Sequence, residues 1–152
     1  MPVNRGKEFE NVFRKDWQKS FPNTFLMRLP DQTSGFYGSK NPCDFIAYNE
    51  QNLCLIECKA SSGASIPLKN LTQRDALYQY SLCRGVKAGF VVWLYEKDIV
   101  MYIPAVTVKT IEAAGEKSVG IRNLDKYHII IVPSVKKRVF MESDYSFMKD
   151  TI

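Results

Sequence analysis

The chain has 152 residues, 45% of them hydrophobic and 24% charged, a composition that predicts one globular domain over residues 1–152 and excludes wholesale disorder. Lys and Arg number 21 against 16 Asp and Glu, and the resulting charge of +5 favours a polyanionic partner. No apolar run reaches the roughly 20 residues that span a bilayer, and no signal-type segment follows the N-terminus. We therefore expect a cytoplasmic protein without membrane contact.

The first predicted element is an amphipathic helix over residues 7–20, with Phe9, Phe13 and Trp17 on one face. The further predicted elements, in chain order, are strands over residues 24–29, 43–46 and 53–59, a helix from residue 70 or 72 to 84, strands over 88–95 and 99–103, a helix over 104–114 and a strand over 127–132. Residues 30–42 are predicted to be a loop, either a DNA-contacting flap or a connector, and the tail to be irregular. This order predicts an α/β domain with a central mixed sheet flanked by helices.

The cysteines and the single histidine do not indicate a zinc site. Cys54 and Cys58 stand four residues apart on one strand, about 13 Å, which is too far to hold one ion together. Cys43 and Cys83 have no partner at metal-site spacing, so we expect all four to be small buried hydrophobes, reduced in the cytoplasm. His128 lies in an apolar strand and is interpreted as structural, and we expect no organic cofactor.

Three charged residues mark two apolar runs, CDFI and LCLIECK. Glu57 and Lys59 share a face of the second strand because side chains alternate along a strand. The turn at residues 49–52 returns this strand beside the first and brings Asp44 near Glu57. Two carboxylates and one ammonium at the end of an apolar sheet are costly without a partner such as a divalent cation. The pattern suggests metal-dependent phosphodiester hydrolysis.

An ordinary surface ion pair is the alternative interpretation of Glu57 and Lys59, because Glu-x-Lys on a strand is common. Apolar residues on both faces of the preceding strand instead indicate a central strand covered on both sides. The ends of such strands are where α/β folds place their functional sites.

Four segments of the chain resemble the RecU-type Holliday junction resolvases of the PD-(D/E)xK nuclease superfamily. They match in order and spacing and are Asn4-Arg5-Gly6 with Glu10, Asp44, Glu57-Cys58-Lys59, and Ser65-Ile66-Pro67-Leu68 with Asn70. The resemblance implies a restriction-endonuclease-like core. It also implies a metal-dependent endodeoxyribonuclease that resolves four-way (Holliday) DNA junctions in recombination and repair.

The same resemblance implies a role for each site residue. Asp44 and Glu57 would bind the metal, Mg²⁺ with Mn²⁺ as a substitute, together with the backbone carbonyl of Cys58. Glu10 would complete the acidic shell directly or through water, although an acid in a first helical turn also suits the helix dipole. Lys59 would orient and help activate the attacking water and stabilise charge on the phosphate.

The expected partners are branched DNA and a second copy of the chain. The basic residues that are candidates for DNA contacts are Arg5, Lys7, Lys69 and Arg74. Paired cuts on opposed strands of a junction, with one acidic cluster per chain, predict a two-fold homodimer. Three alternatives stay open: a nuclease of this superfamily acting on other DNA substrates, a non-catalytic DNA-binding module on the same fold, and a structural protein with a buried ion pair.

Overall fold

A computed structural model of the chain describes residues 4–30 and 41–151. The α-helices in these residues are α1 (Arg5–Ser20), α2 (Arg74–Ser81), α3 (Ala105–Ala113) and α4 (Met148–Thr151). The strands are β1 (Leu26–Arg28), β2 (Phe45–Tyr48), β3 (Leu53–Ser61), β4 (Ser65–Pro67), β5 (Val86–Leu94), β6 (Ile99–Pro104), β7 (Ser118–Gly120), β8 (Ile130–Ile131), β9 (Ser134–Lys136) and β10 (Met141–Ser143). None of the helices in the described ranges is long and apolar enough to cross a membrane.

Six of the strands form a mixed sheet in the order β1-β2-β3-β5-β6-β8. β3 pairs antiparallel with β2 and parallel with β5, in a register that runs from Leu53 opposite Val86 to Ser61 opposite Leu94. Parallel pairing requires a crossover connection, which here contains α2. The carboxyl ends of β3 and β5 therefore meet at one edge of the sheet, as the predicted mixed α/β sheet requires.

The core lies on both faces of this sheet. On one face, α1 packs aromatic side chains against the strands, with the rings of Phe13 and Phe45 5.0 Å apart between centroids. On the other face, α2 and α3 cover a mainly aliphatic layer. Along β3, Ile56 and Cys58 face α1 whereas Leu55 faces the opposite layer. Strand alternation then directs Glu57 and Lys59 away from α1, toward the side of α2 and α3.

The turn between β2 and β3 is built by one asparagine. Oδ1 of Asn49 accepts hydrogen bonds from the amides of Gln51 (3.1 Å) and Asn52 (2.7 Å), the local pattern by which asparagine initiates turns. Nδ2 of the same residue donates to the carbonyl of Met148 at 3.0 Å. The predicted return of β3 beside β2 is confirmed, and the turn is fastened to α4.

The second helix is shorter than predicted. It begins at Arg74, not at residue 70 or 72, because residues 68–70 form a 3-10 turn closed by the amide of Leu71 on the carbonyl of Leu68 (2.9 Å). It ends at Ser81, not at residue 84, and a tight turn follows in which Gly85 has φ 83°. Cys83 is exposed in this turn, so the prediction of four buried cysteines is wrong at that position.

The tail is not irregular, contrary to the prediction. β9 and β10 pair antiparallel, and α1 holds this hairpin through polar contacts. Oδ2 of Asp16 accepts from the amide of Ser143 (3.0 Å), and Oγ of Ser20 accepts from the amide of Tyr145 (2.9 Å). The partners lie 127 and 125 positions apart in sequence, so no local pattern announces them.

The late strand and the β4–β7 pairing differ from the sequence prediction. The strand over residues 127–132 is reduced to β8, an edge strand that pairs with β6 at two positions. β4 pairs with β7, a pairing that the sequence did not predict, and Gly120 permits a backbone approach in which a Cβ would meet the carbonyl oxygen of Ala64 at 2.1 Å. The loop predicted over residues 30–42 lies mostly outside the described residues.

Candidate active site

β2 and β3 separate where β2 begins. The first paired residues are Phe45 and Ile56, and β3 continues beyond this pair. Asp44 occupies the opening, since its Oδ2 accepts a hydrogen bond from the backbone N–H of Cys58 at 2.9 Å. Its own carbonyl accepts from the amide of Leu29 at 2.8 Å, so both the backbone and the carboxylate of this residue are fixed.

Glu57 is buried beside this carboxylate. Its side chain is 5% exposed, and its Oε2 lies 3.3 Å from Nζ of Lys59, whose side chain is 27% exposed. Burial and the adjacent, hydrogen-bonded carboxyl of Asp44 raise the pKa of Glu57 to about 8, against the opposing effect of Lys59. One ammonium therefore does not balance the two carboxylates. We call Asp44, Glu57 and Lys59 the acidic fork.

The acidic fork lines an open cleft of about 400 Å³. The first turn of α1 forms another part of its wall, through Asn4, Gly6 and Lys7. Oδ1 of Asn4 accepts from the amide of Lys7 at 3.1 Å and so caps the helix. The positive end of the α1 dipole thus lies beside the cleft and favours anionic groups there.

Glu10 reaches the same cleft from α1. Its Oε2 accepts hydrogen bonds from Nε (3.1 Å) and Nη2 (2.8 Å) of Arg28 on β1. In residues 4–30 and 41–151, no three His, Cys, Asp or Glu side chains converge as a group that could hold a metal. Glu10 is therefore brought to the cleft, but it does not form a three-carboxylate cluster with Asp44 and Glu57.

The backbone of Cys58 is directed into the fork. Its N–H points at Asp44, and within a strand the carbonyl of a residue points to the same side as its N–H. Its thiol is buried on the opposite face, where burial raises the thiol pKa well above the usual value. Cys58 can thus offer the fork a backbone oxygen but not a thiolate.

The four basic residues predicted to contact DNA lie in different places. Lys7 lines the cleft, and Arg5 is the first residue of α1, two positions before Lys7. Lys69 and Arg74 line a second cleft, which shares no lining residue with the first. Arg74 donates from Nε to Oε2 of Glu112 at 2.7 Å and from Nη1 to two backbone carbonyls, so its donors join α2 to α3.

Arg28 lies in the cleft and binds Glu10, although it belongs to none of the motifs predicted from the sequence. A signal was present, since Arg28 stands two positions after Leu26 on β1 and shares its face, the face that packs against α1. A cation on a core-facing strand position needs a carboxylate partner, and α1 provides Glu10.

No protein-family model and no curated protein sequence matches the chain. Among solved structures it is similar to Archaeoglobus fulgidus Hjc, a Holliday junction resolvase from an archaeal hyperthermophile. The TM-score is 0.55 at 18% sequence identity, and the match covers 80% of this chain and 93% of that one. The chain therefore has the restriction-endonuclease-like fold that the sequence predicted, with a six-stranded mixed sheet flanked by helices.

Proposed function

We propose that the chain is a divalent-metal-dependent endodeoxyribonuclease of the RecU type that resolves four-way DNA junctions in recombination and repair. The acidic fork is the observation that carries this proposal. A buried glutamate with a pKa of about 8 stands beside a second carboxylate and a lysine, at the wall of an open cleft. Perturbed carboxylates in clefts are typical of functional sites. The fold that the chain shares with a resolvase adds support by analogy.

The donor atoms of the fork fit Mg²⁺, with Mn²⁺ as a substitute. The carboxylates of Asp44 and Glu57 and the carbonyl of Cys58 are hard oxygen donors, and Mg²⁺ needs few protein ligands because it keeps water and phosphate oxygens. The raised pKa of Glu57 indicates a deficit of positive charge that a divalent cation would supply. When bound, such an ion lowers the pKa of water and polarises a phosphoryl oxygen. Glu10 would contribute through water, since its Oε2 accepts from Arg28.

Lys59 would supply the positive charge nearest the reacting phosphate. Its ammonium lies 3.3 Å from Glu57 and is partly exposed. An ammonium offers three hydrogen-bond donors and no acceptor. Lys59 would therefore orient the attacking water and stabilise the negative charge that builds on the phosphate, as preorganised donors do at other phosphoryl sites.

The working form that we propose is a two-fold homodimer. A four-way junction requires two cuts on opposed strands, and each chain offers one acidic fork. A dyad would present two equivalent sites to a substrate that has an approximate dyad of its own. Sedimentation at micromolar protein, with and without junction DNA, should give a dimer. A particle that stays monomeric in both conditions and still makes paired cuts would contradict this part of the proposal.

Cleavage of a synthetic four-way junction, compared with a linear duplex of the same sequence, tests the function. The wild-type chain should nick the junction with Mg²⁺, should be inactive in a chelator, and should leave the duplex intact. Equal cutting of both substrates would favour a superfamily nuclease acting on other DNA. Binding without cutting under every metal condition would favour the non-catalytic module.

A further inference from the structure

We propose that Arg5, which lies within cation–π distance of Tyr95 and Trp93, forms a second phosphate-binding subsite that binds the DNA backbone beside the cut. This inference rests on the proposed function, because it assumes that a DNA strand lies in the catalytic cleft. It assigns to two aromatic residues of β5 and its end a role that the charge pattern of the sequence does not indicate.

The guanidinium of Arg5 is positioned by aromatic rings. Its Cζ lies 5.3 Å from the ring centroid of Tyr95 and 5.8 Å from that of Trp93, within the range of cation–π attraction. The two rings are themselves in edge contact, with centroids 5.6 Å apart and planes at 61°. Trp93 is buried and packs on Phe9 of α1 at 5.7 Å, so this aromatic support is anchored in the core.

The hydrogen-bonding capacity of Arg5 is not used within the described residues. Its one ionic contact is with Glu8, at 3.9 Å from Nη1 to Oε2, and no hydrogen bond of its side chain to another described residue is present. The side chain is 36% exposed. A guanidinium is planar, and its N–H donors match the oxygens of a phosphate in geometry.

Arg5 and Trp93 lie, relative to the acidic fork, where a phosphate flanking the cut would be expected. Trp93 pairs in register with Ala60, the neighbour of Lys59, and Ala60 lines the catalytic cleft. At the other side, Arg5 stands between Asn4 and Gly6, which both line that cleft. Arg5 is therefore at the rim of the cleft, on the α1 side of the sheet, while Lys59 projects on the opposite side.

A purely structural role would explain the same contacts, with Arg5 serving to cover Trp93. That role requires an apolar, flat side chain and makes no use of the donors. It predicts that substitutions at Arg5 and Tyr95 lower thermal stability and leave DNA affinity unchanged. The phosphate subsite instead predicts that DNA affinity depends on both residues together, because the ring of Tyr95 fixes the orientation of the Arg5 guanidinium.

A double-mutant cycle on junction binding tests the subsite, with fluorescence anisotropy of a labelled four-way junction in a chelator so that cleavage does not intervene. Arg5→Lys keeps the charge but loses the planar guanidinium, and Tyr95→Leu removes the aromatic ring. Each should weaken binding roughly 2- to 30-fold, the range of a cation–π contact. The double variant should bind the junction with the same affinity as the single variant that binds less tightly, since the two residues act as one unit.

Two matched variants serve as controls. Arg14→Lys makes the same substitution at an exposed position of the same helix, and Tyr95→Phe keeps the ring; both should bind like the wild type. Additive losses in the double variant, or wild-type affinity in Arg5→Lys, would overturn the subsite. A wild-type chain that binds no DNA would remove the proposed function together with the subsite, whereas wild-type binding matched by every variant would remove the subsite alone.

Discussion

Two clusters of charged side chains in this molecule differ in how their charges are balanced. Beside the second cleft, an ion-pair network joins α2 to α3 through Arg74, Asp75, Lys109 and Glu112. Hydrogen bonds from Arg74 and Lys109 lower the pKa of Glu112. In the acidic fork, two carboxylates share one lysine, and the pKa of Glu57 rises to about 8. The members of the network neutralise one another, whereas the fork has one ammonium for two carboxylates, which is why we propose a cation there.

Substituting Asp44 or Lys59 of the acidic fork should produce the largest effect on junction cleavage. Asp44→Asn keeps the shape of the residue but removes a charge that we propose binds the metal, so junction nicking in Mg²⁺ should fall below detection. Lys59→Ala should lower the cleavage rate by on the order of 10²–10³-fold, the usual cost of a lost charge-stabilising donor. Junction binding should persist in both variants. Full cleavage by both would refute the site assignment and leave the contrast with the network without functional meaning.

Salt should reduce DNA affinity steeply if basic residues at the cleft contact phosphates. With about six contacts, affinity should fall on the order of 10³-fold over a few-fold rise in salt, because bound counterions are released. Titration of labelled junction DNA at several salt concentrations, in a chelator, measures the slope. A nearly flat response would support the structural-protein interpretation instead.

The unbalanced charge of the fork should also make stability depend on pH. The pKa of Glu57 is raised from 4.5 to about 8, so between these values the folded chain binds more protons than the unfolded chain. The metal-free protein should therefore lose stability as pH rises through this window. Burial also raises the pKa of Asp16, in the same direction, so the comparison with Glu57→Gln isolates the fork. Equal pH profiles for wild type and Glu57→Gln in chemical denaturation would contradict this prediction.

The smallest functional effect is expected in the network. Arg74→Ala should lower the melting temperature by a few degrees, because Glu112 and the carbonyls of Leu68 and Leu71 each lose one of their donors. The cleavage rate per folded molecule should be unchanged. A cleavage defect as large as that of Lys59→Ala would erase the distinction between the two clusters and would support the predicted DNA-contacting role of Arg74.

The sequence predicted the elements whose cause is local. Apolar periodicity located α1 and the central strands, and Asn49 lies at the turn that the pattern required. Strand alternation was enough to place Glu57 and Lys59 on one face, and the turn to bring Asp44 to them. These parts of the fold and of the site depend on neighbours in the chain, so a single sequence contains their signal.

The parts that the sequence did not predict depend on distant partners. The hairpin of β9 and β10 is held by Asp16 and Ser20 of α1, at the far end of the chain. The ion pair of Arg28 with Glu10 joins β1 to α1 across 18 positions, and neither residue reveals the other by spacing alone. The aromatic support of Arg5 likewise becomes visible only when β5 is placed beside α1.

The central claim is that the acidic fork is a divalent-cation site. Calorimetric titration of Mn²⁺ into the wild-type chain, Asp44→Asn and the network variant Arg74→Ala, all without DNA, tests it most directly. We predict saturable binding of one ion per chain in the wild type and in Arg74→Ala, and its loss in Asp44→Asn. Binding by Asp44→Asn with the same affinity and stoichiometry as the wild type would contradict the claim.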